Sequence, residues 1–227
     1  MTDARAETTG HSPILCAYCA ARSADPHACS ECGRIQPVAA DADYFAFFGL
    51  PRKLLLDEAA LEKSFYSLSR RFHPDYFMTA TDRERQASLD RSSLLNDAYR
   101  TLRDPIRRAQ YLLSLEGYKE AEKKAPPDLL EEVFDLNMQL EEMKAAKKMG
   151  DEDEAAEARS SLEDALAGLE RKLDEIDQRI YAQFDSWDLA VASIAGDEHR
   201  KALDRMSELL SHRSYIRNLV RDIREEI

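Results

Sequence analysis

Apolar residues recur at helical spacing along most of the chain. Leu61, Phe65, Leu68 and Phe72 lie four, three and four residues apart, one apolar stripe on a helix from Asp57 to Phe72. Asp57 is a good N-cap for it. Before it, Tyr44-Phe45-Ala46-Phe47-Phe48-Gly49-Leu50-Pro51 predicts a short aromatic helix that stops at Pro51. After it, a helix from about Asp82 to Leu102 places Ala87, Arg91, Leu94 or Leu95, Ala98 and Leu102 near one face, and Asp104-Pro105 ends it.

The second half reads as three longer helices. Pro126-Pro127-Asp128 is a helix start. Leu129, Leu130, Val133, Phe134, Leu136, Leu140, Met143 and in part Met138 then make a helix apolar over a wider arc than one core face needs. A second pattern runs from about Asp153 to Ala195 through Leu162, Leu166, Leu169, Leu173, Ile176, Ile180 and Phe184, and Gly196-Asp197 breaks it. A third runs from about Asp197 to Glu226 with Leu203, Met206, Leu210, Ile216, Leu219 and Ile223. Three such helices predict an antiparallel bundle. Asp151 to Glu154 is an acidic turn, and Trp187 is a core candidate without a functional assignment.

Composition agrees with an all-α protein. The 227 residues are 33% charged and 44% hydrophobic, with only 7 Gly and 8 Pro. Alternating runs rich in β-branched residues are missing, so no extensive sheet is expected. The N-terminus lacks an apolar core, and no window is long and apolar enough to span a bilayer, so a cytoplasmic protein is expected. The net charge is −12. Residues 1–42 carry 3 basic and 5 acidic groups, residues 43–118 carry 12 and 11, and residues 119–227 carry 17 and 28. An acidic C-terminal half is a poor phosphate-backbone binder, which weighs against nucleic acid as a partner.

All four cysteines lie in one segment: Cys16 and Cys19, nine intervening residues, then Cys29 and Cys32. Two C-x2-C turns can present four thiolates to one tetrahedral Zn²⁺. Gly33 follows the second pair, where the turn favours positive φ. Paired disulfides, a redox site and an iron–sulfur cluster are the alternatives. A reducing compartment argues against the first, and the lack of a βαβ context against the second. His11 and His27 could substitute as ligands, although four thiolates suffice and His27 reads as a plain loop residue. A site closed by four protein ligands is structural, and a segment this short depends on its metal for folding. Residues 1–15 are expected to be a disordered tail, residues 16–42 the zinc-binding segment with 34–42 as linker, residues 43–118 the helical hairpin domain, and residues 126–227 the bundle.

The most specific chemistry is at His73-Pro74-Asp75, between the two amphipathic helices. Proline disfavours α conformation at the residue before it, so the first helix should end near Phe72 or His73. Asp75 can bond local amides or offer a carboxylate to a partner's arginine. Lys63, Arg70 and Arg71 lie off the apolar stripe as a basic face. A basic helix, an HPD loop and a returning helix that ends Leu95-Asn96-Asp97-Ala98-Tyr99-x-x-Leu102-x-Asp104-Pro105 resemble the J-domain. DYFAFFGLP at 43–51, FHPDYF at 72–77 and SSLLNDAYRTLRDPIRRAQYLLSLEG at 92–117 narrow the resemblance to the HscB family of J-proteins, some of which carry an N-terminal double-CxxC segment.

The resemblance implies a co-chaperone rather than an enzyme. His73, Pro74, Asp75, Lys63, Arg70 and Arg71 would bind an HscA- or DnaK-type ATPase and stimulate it. The bundle would bind an IscU-type iron–sulfur scaffold protein, at positions that fall on Leu130, Glu131, Phe134, Asp135 and Glu142, with His212 on the last helix. Glu131 stands where the family commonly has an apolar residue, Met138 where glutamate is usual, and His212 where an aromatic anchor is usual. A J-protein for a different client and a zinc-dependent adaptor module are the alternative functions. For the zinc segment, homodimer formation, contact with another assembly factor and simple stabilisation are the candidate roles. No nucleophile–base pair, phosphate loop or open metal site supports catalysis by the chain itself.

Overall fold

The computed structural model describes residues 14–39, 42–118, 129–192 and 196–227, and the chain divides into two compact units, Met1–Arg108 and Ala109–Ile227. In the first unit, β1 (Ile14–Leu15) and β2 (Arg22–Ser23) pair antiparallel with Ile14 opposite Ser23. Residues 14 and 15 are therefore part of a folded ribbon and not of a tail. The helices are α1 (Tyr44–Phe48), α2 (Glu58–Phe72), α3 (Asp82–Arg103) and α4 (Pro105–Leu115), the last running into the second unit.

Their boundaries follow local chemistry. Asp43 caps α1 through Phe45 N–H, and Gly49 ends it at φ 67°, a left-handed conformation that costs glycine nothing. Asp57 accepts from Ala60 N–H at the start of α2. Thr81 and Glu84 form a capping box at the start of α3. α2 and α3 form the hairpin, and α1 packs on both. The core holds Phe47, Phe72, Ala87 and Leu95, with Phe65 and Leu68 partly buried against it.

Ile35 belongs to the same core. Ile35 and Gln36 are 3% and 2% exposed, so this part of the expected linker is packed structure. The reason is a bridge from Ile35 back to Ala28, which turns the Ile35 side chain inward.

The second unit contains α5 (Leu130–Met149), α6 (Glu152–Tyr181), α7 (Phe184–Ala192) and α8 (Asp197–Glu226). The helix start expected at Pro126-Pro127-Asp128 lies outside the described residues. α6 packs against α5 and α8, and α7 packs against α8. Leu136, Met143, Leu162, Leu169, Ile180, Met206 and Ile216 are buried there. The long second pattern is two helices, not one: it breaks at Ala182–Gln183, and Trp187 on α7 is 2% exposed. Asp177 takes both Arg213 guanidinium arms, a fork that fixes α6 against α8. No helix among the described residues is long and apolar enough to cross a membrane.

Candidate functional site

The HPD loop follows from how α2 ends. His73 leaves the helix at φ −57°, ψ 125°, and Pro74–Phe77 forms one 3₁₀ turn. The Phe72 carbonyl is therefore left without a helical partner. It accepts the hydroxyls of Ser88 at 2.7 Å and Ser92 at 3.0 Å, both from α3. Inside the loop, Asp75 N–H donates to His73 Nδ1 at 3.3 Å and Tyr76 N–H to the His73 carbonyl at 3.0 Å. The His73 ring stands edge-on to Tyr76 at 6.0 Å. The side chains of His73 and Asp75 face each other, Nδ1 to Oδ2 at 3.5 Å, and stay 52% and 76% exposed, so the loop presents both polar groups to solvent.

Lys63 and Arg70 are exposed on one side of α2, seven residues apart and hence two turns along the same face. Arg71 is also exposed but is already engaged: it pairs with Asp25 of the cysteine-rich segment.

That segment is a pair of matching turns. Ala20 N–H bonds the Cys16 carbonyl at 3.0 Å, and Gly33 N–H bonds the Cys29 carbonyl at 2.9 Å. Gly33 has φ 71°, as the turn requires, and Ala20 occupies the equivalent place at φ 57°. The four ligand sulfurs all lie within 4.8 Å of one another, with Cys16–Cys32 at 3.6 Å and Cys19–Cys29 at 3.7 Å. Sulfurs about 2.3 Å from a central tetrahedral ion stand about 3.8 Å apart, so the spacing fits a metal and is far too long for disulfides. Tyr18 N–H and Gln36 Nε2 point at Cys16 Sγ, each at 3.4 Å, and Glu31 N–H points at Cys29 Sγ at 3.4 Å. Burial opposes ionisation of Cys16, but N–H groups of Tyr18 and Cys19 bring its thiol down to about 6. Against an N–H bond from Ala21, the neighbouring sulfurs push Cys19 up to about 12. A bound divalent cation removes that conflict.

The segment docks on the hairpin through His27 and Arg91, whose pairing the sequence pattern does not show. His27, read as a loop residue, is 9% exposed and lies 5.0 Å from the Phe47 ring and 5.2 Å from the Phe72 ring. Burial, with Arg91 facing it, pushes His27 down to about 4, so it is neutral at pH 7 and Nδ1 accepts from Arg91 Nη1 at 2.7 Å. Arg91, on the apolar face of α3, also donates to the carbonyls of Gln36, Pro26 and Pro37. The signal in the sequence was a charged residue at a core position of α3, which must find acceptors somewhere.

In the second unit, Leu130, Phe134 and Met138 are 55%, 64% and 48% exposed and recur every fourth residue, a single solvent-facing stripe on α5. Glu131, Asp135 and Glu142 are exposed on the same helix. His212 on α8 is half-buried.

The model of the DnaJ domain matches residues 43–111, which contain the whole hairpin and its loop. The class is thus a J-domain protein with a helical bundle. Two proteins of Vibrio cholerae serotype O1 (classical Ogawa and El Tor Inaba strains), each described as a co-chaperone protein HscB homolog, are 43% identical over 106 residues. Those matches cover 45% of this chain and 62% of each relative's length. A third, from strain M66-2 of the same serotype, is 35% identical over 167 residues, covering 74% of this chain and 88% of the relative. The chain belongs to the HscB family of J-protein co-chaperones. Its fold is that of the human co-chaperone HscB, with a TM-score of 0.68 over 94% of this chain and 98% of that one at 24% identity. The chaperone HscB from Vibrio cholerae superposes with a TM-score of 0.56 at 27% identity, over 81% and 96% of the two chains.

Proposed function

We propose that this protein is a two-ended adaptor that stimulates the ATPase of an HscA- or DnaK-type chaperone and delivers an IscU-type scaffold protein to it, in support of iron–sulfur cluster assembly in the cytoplasm. The observation that carries the chaperone-facing end is the exposure of His73 and Asp75 on a loop braced by Ser88 and Ser92. His73 and Asp75 dock, and Lys63, Arg70 and Arg71 attract an acidic surface and set the approach. The chain itself catalyses nothing in this reading; the hydrolysis is the partner's.

The client-facing end is the stripe Leu130–Phe134–Met138, with Glu131, Asp135 and Glu142 as polar rim and His212 as the candidate on α8. An exposed apolar stripe beside carboxylates matches the apolar centre and charged edge of a protein interface. Joining both ends in one chain raises the client's concentration beside the chaperone. Cys16, Cys19, Cys29 and Cys32 hold Zn²⁺ as a closed structural site, which supplies folding energy and no open position for a substrate.

Adding the purified protein to a chaperone ATPase assay should raise turnover, and His73→Gln should abolish the rise. No stimulation by the unmutated protein refutes the chaperone end. Failure to retain an IscU-type protein in a pull-down would point to a different client. For the metal, elemental analysis after gel filtration should give one zinc per chain, and less than about half an equivalent counts against a tetrathiolate site.

A further inference from the structure

We propose that Arg91 is a positioning residue that ties the order of the cysteine knuckle to that of the HPD loop, so that loss of the knuckle's metal releases the loop end of α2. The inference rests on the HPD loop being the docking element. It goes further by making docking competence depend on metal occupancy.

Arg91 is 4% exposed, and burial brings its guanidinium down to only about 10, so it stays a cation. Every acceptor that it reaches belongs to the knuckle: the carbonyls of Gln36, Pro26 at 2.8 Å and Pro37 at 3.2 Å, and Nδ1 of His27 at 2.7 Å. These residues bracket Cys29 and Cys32. A buried cation stripped of its acceptors is among the costliest defects in a fold, so Arg91 cannot stay in place if the knuckle unfolds.

On its other side Arg91 lies over the Phe47 and Phe72 rings at 5.9 and 5.5 Å, the same two rings that His27 touches. Phe72 is the residue before His73, and its carbonyl is held by Ser88 and Ser92, which flank Arg91 on α3. A second tether runs in parallel. Asp25 Oδ1 accepts the His27 N–H at 2.8 Å, and its other oxygen takes Arg71, the second-last residue of α2. Knuckle, Arg91 and the end of α2 thus form one contiguous network.

The network has a natural two-state element, because a tetrathiolate segment of this size is ordered with metal and unfolded without it. Chelation, or oxidation of the thiols by a peroxide-class oxidant with two electrons removed per disulfide formed, would remove the acceptors of Arg91. Arg91 must then turn toward water and draw away from Phe72, loosening the residues that present His73 and Asp75. The bundle keeps its own core of Leu162, Leu169, Ile180 and Met206.

Amide hydrogen exchange followed by mass spectrometry on the full chain tests this, comparing zinc-loaded protein under reductant with the same protein after excess chelator. Metal removal should speed exchange across residues 70–78 by about tenfold or more and leave α6 unchanged. Unchanged exchange at 70–78, or an equal rise in α6, overturns the coupling. Metal-loaded Arg91→Lys, which keeps the charge and loses the fork, should already exchange faster at 70–78. Because linkage is reciprocal, it should also surrender zinc to a competing chelator about tenfold more readily. Exchange like that of the unmutated protein takes the role away from Arg91. The chelator comparison uses the unmutated chain and decides the coupling even where Arg91→Lys does not fold. No chaperone is present in these assays, so a coupled protein that fails to stimulate an ATPase would lose the docking reading and keep this one.

Discussion

The HPD hairpin and the α5 face of the bundle depart from ordinary burial in opposite senses. The hairpin buries Phe47, Phe72, Ala87 and Leu95 and exposes His73 and Asp75 on a backbone held by α3. α5 buries Leu136, Met143 and Ala146 yet leaves Leu130, Phe134 and Met138 in solvent. A rigid polar loop suits a brief, charge-read contact that must release after each turnover. An apolar stripe suits a partner that buries aromatic surface and is carried. In the proposed function the contrast separates what each end recognises, and the knuckle packs on the hairpin.

The largest test of that contrast is removal of the knuckle. The apparent binding energy of a structural zinc is on the order of 10 kcal/mol, so Cys29→Ala should lose the metal and unfold the 14–37 segment. Elemental analysis and proteolysis of that segment read it, and a bundle that melts with the knuckle would contradict a loss confined to the knuckle and hairpin. Next, Leu162→Ala, fully buried on α6, should cost about 3 kcal/mol of bundle stability in denaturant unfolding. Phe134→Ala on the solvent face should leave stability within about 0.5 kcal/mol but weaken scaffold binding by about 30-fold in calorimetry, roughly the 2 kcal/mol of one buried aromatic. Similar stability losses in the two variants would make Phe134 a core residue and erase the distinction.

The smallest effect concerns the capping box. Thr81→Ala should lower the hairpin's stability by about 1 kcal/mol, measured by the shift in melting temperature. The Thr81 hydroxyl beside Glu84 holds that carboxyl below its ordinary value of 4.5. A depressed acid stabilises the fold above its unfolded value, and the gain is lost as pH falls through the folded one. The difference between the variant and the unmutated protein should therefore be largest near neutrality and narrow in acid, leaving the share of the cap that Thr81 makes with Glu84 N–H.

Where local chemistry decides, the chain was legible. Asp57 and Gly196 mark helix starts by capping or breaking, and Pro74 stops α2 wherever the rest of the chain lies. The wide apolar arc of α5 agrees with the exposure of Leu130, Phe134 and Met138. The split at Ala182–Gln183 was not legible, because neither residue is a breaker and the Ala182 backbone stays helical. Arg91 was placed on the correct face of α3, but its acceptors lie 54 to 65 residues earlier in the chain, and no local pattern encodes such a contact. Ile35 and Gln36 read as linker for the same reason: their partners are distant.

In the proposed function the two ends act separately through one chain. Steady-state ATPase of an HscA-type chaperone, measured with and without an IscU-type scaffold, tests it most directly in the unmutated protein, His73→Gln and Phe134→Ala. The unmutated protein should stimulate, and more so with the scaffold. Phe134→Ala should keep the basal stimulation and lose the scaffold-dependent gain, and His73→Gln should lose both. Full stimulation by His73→Gln would contradict the account.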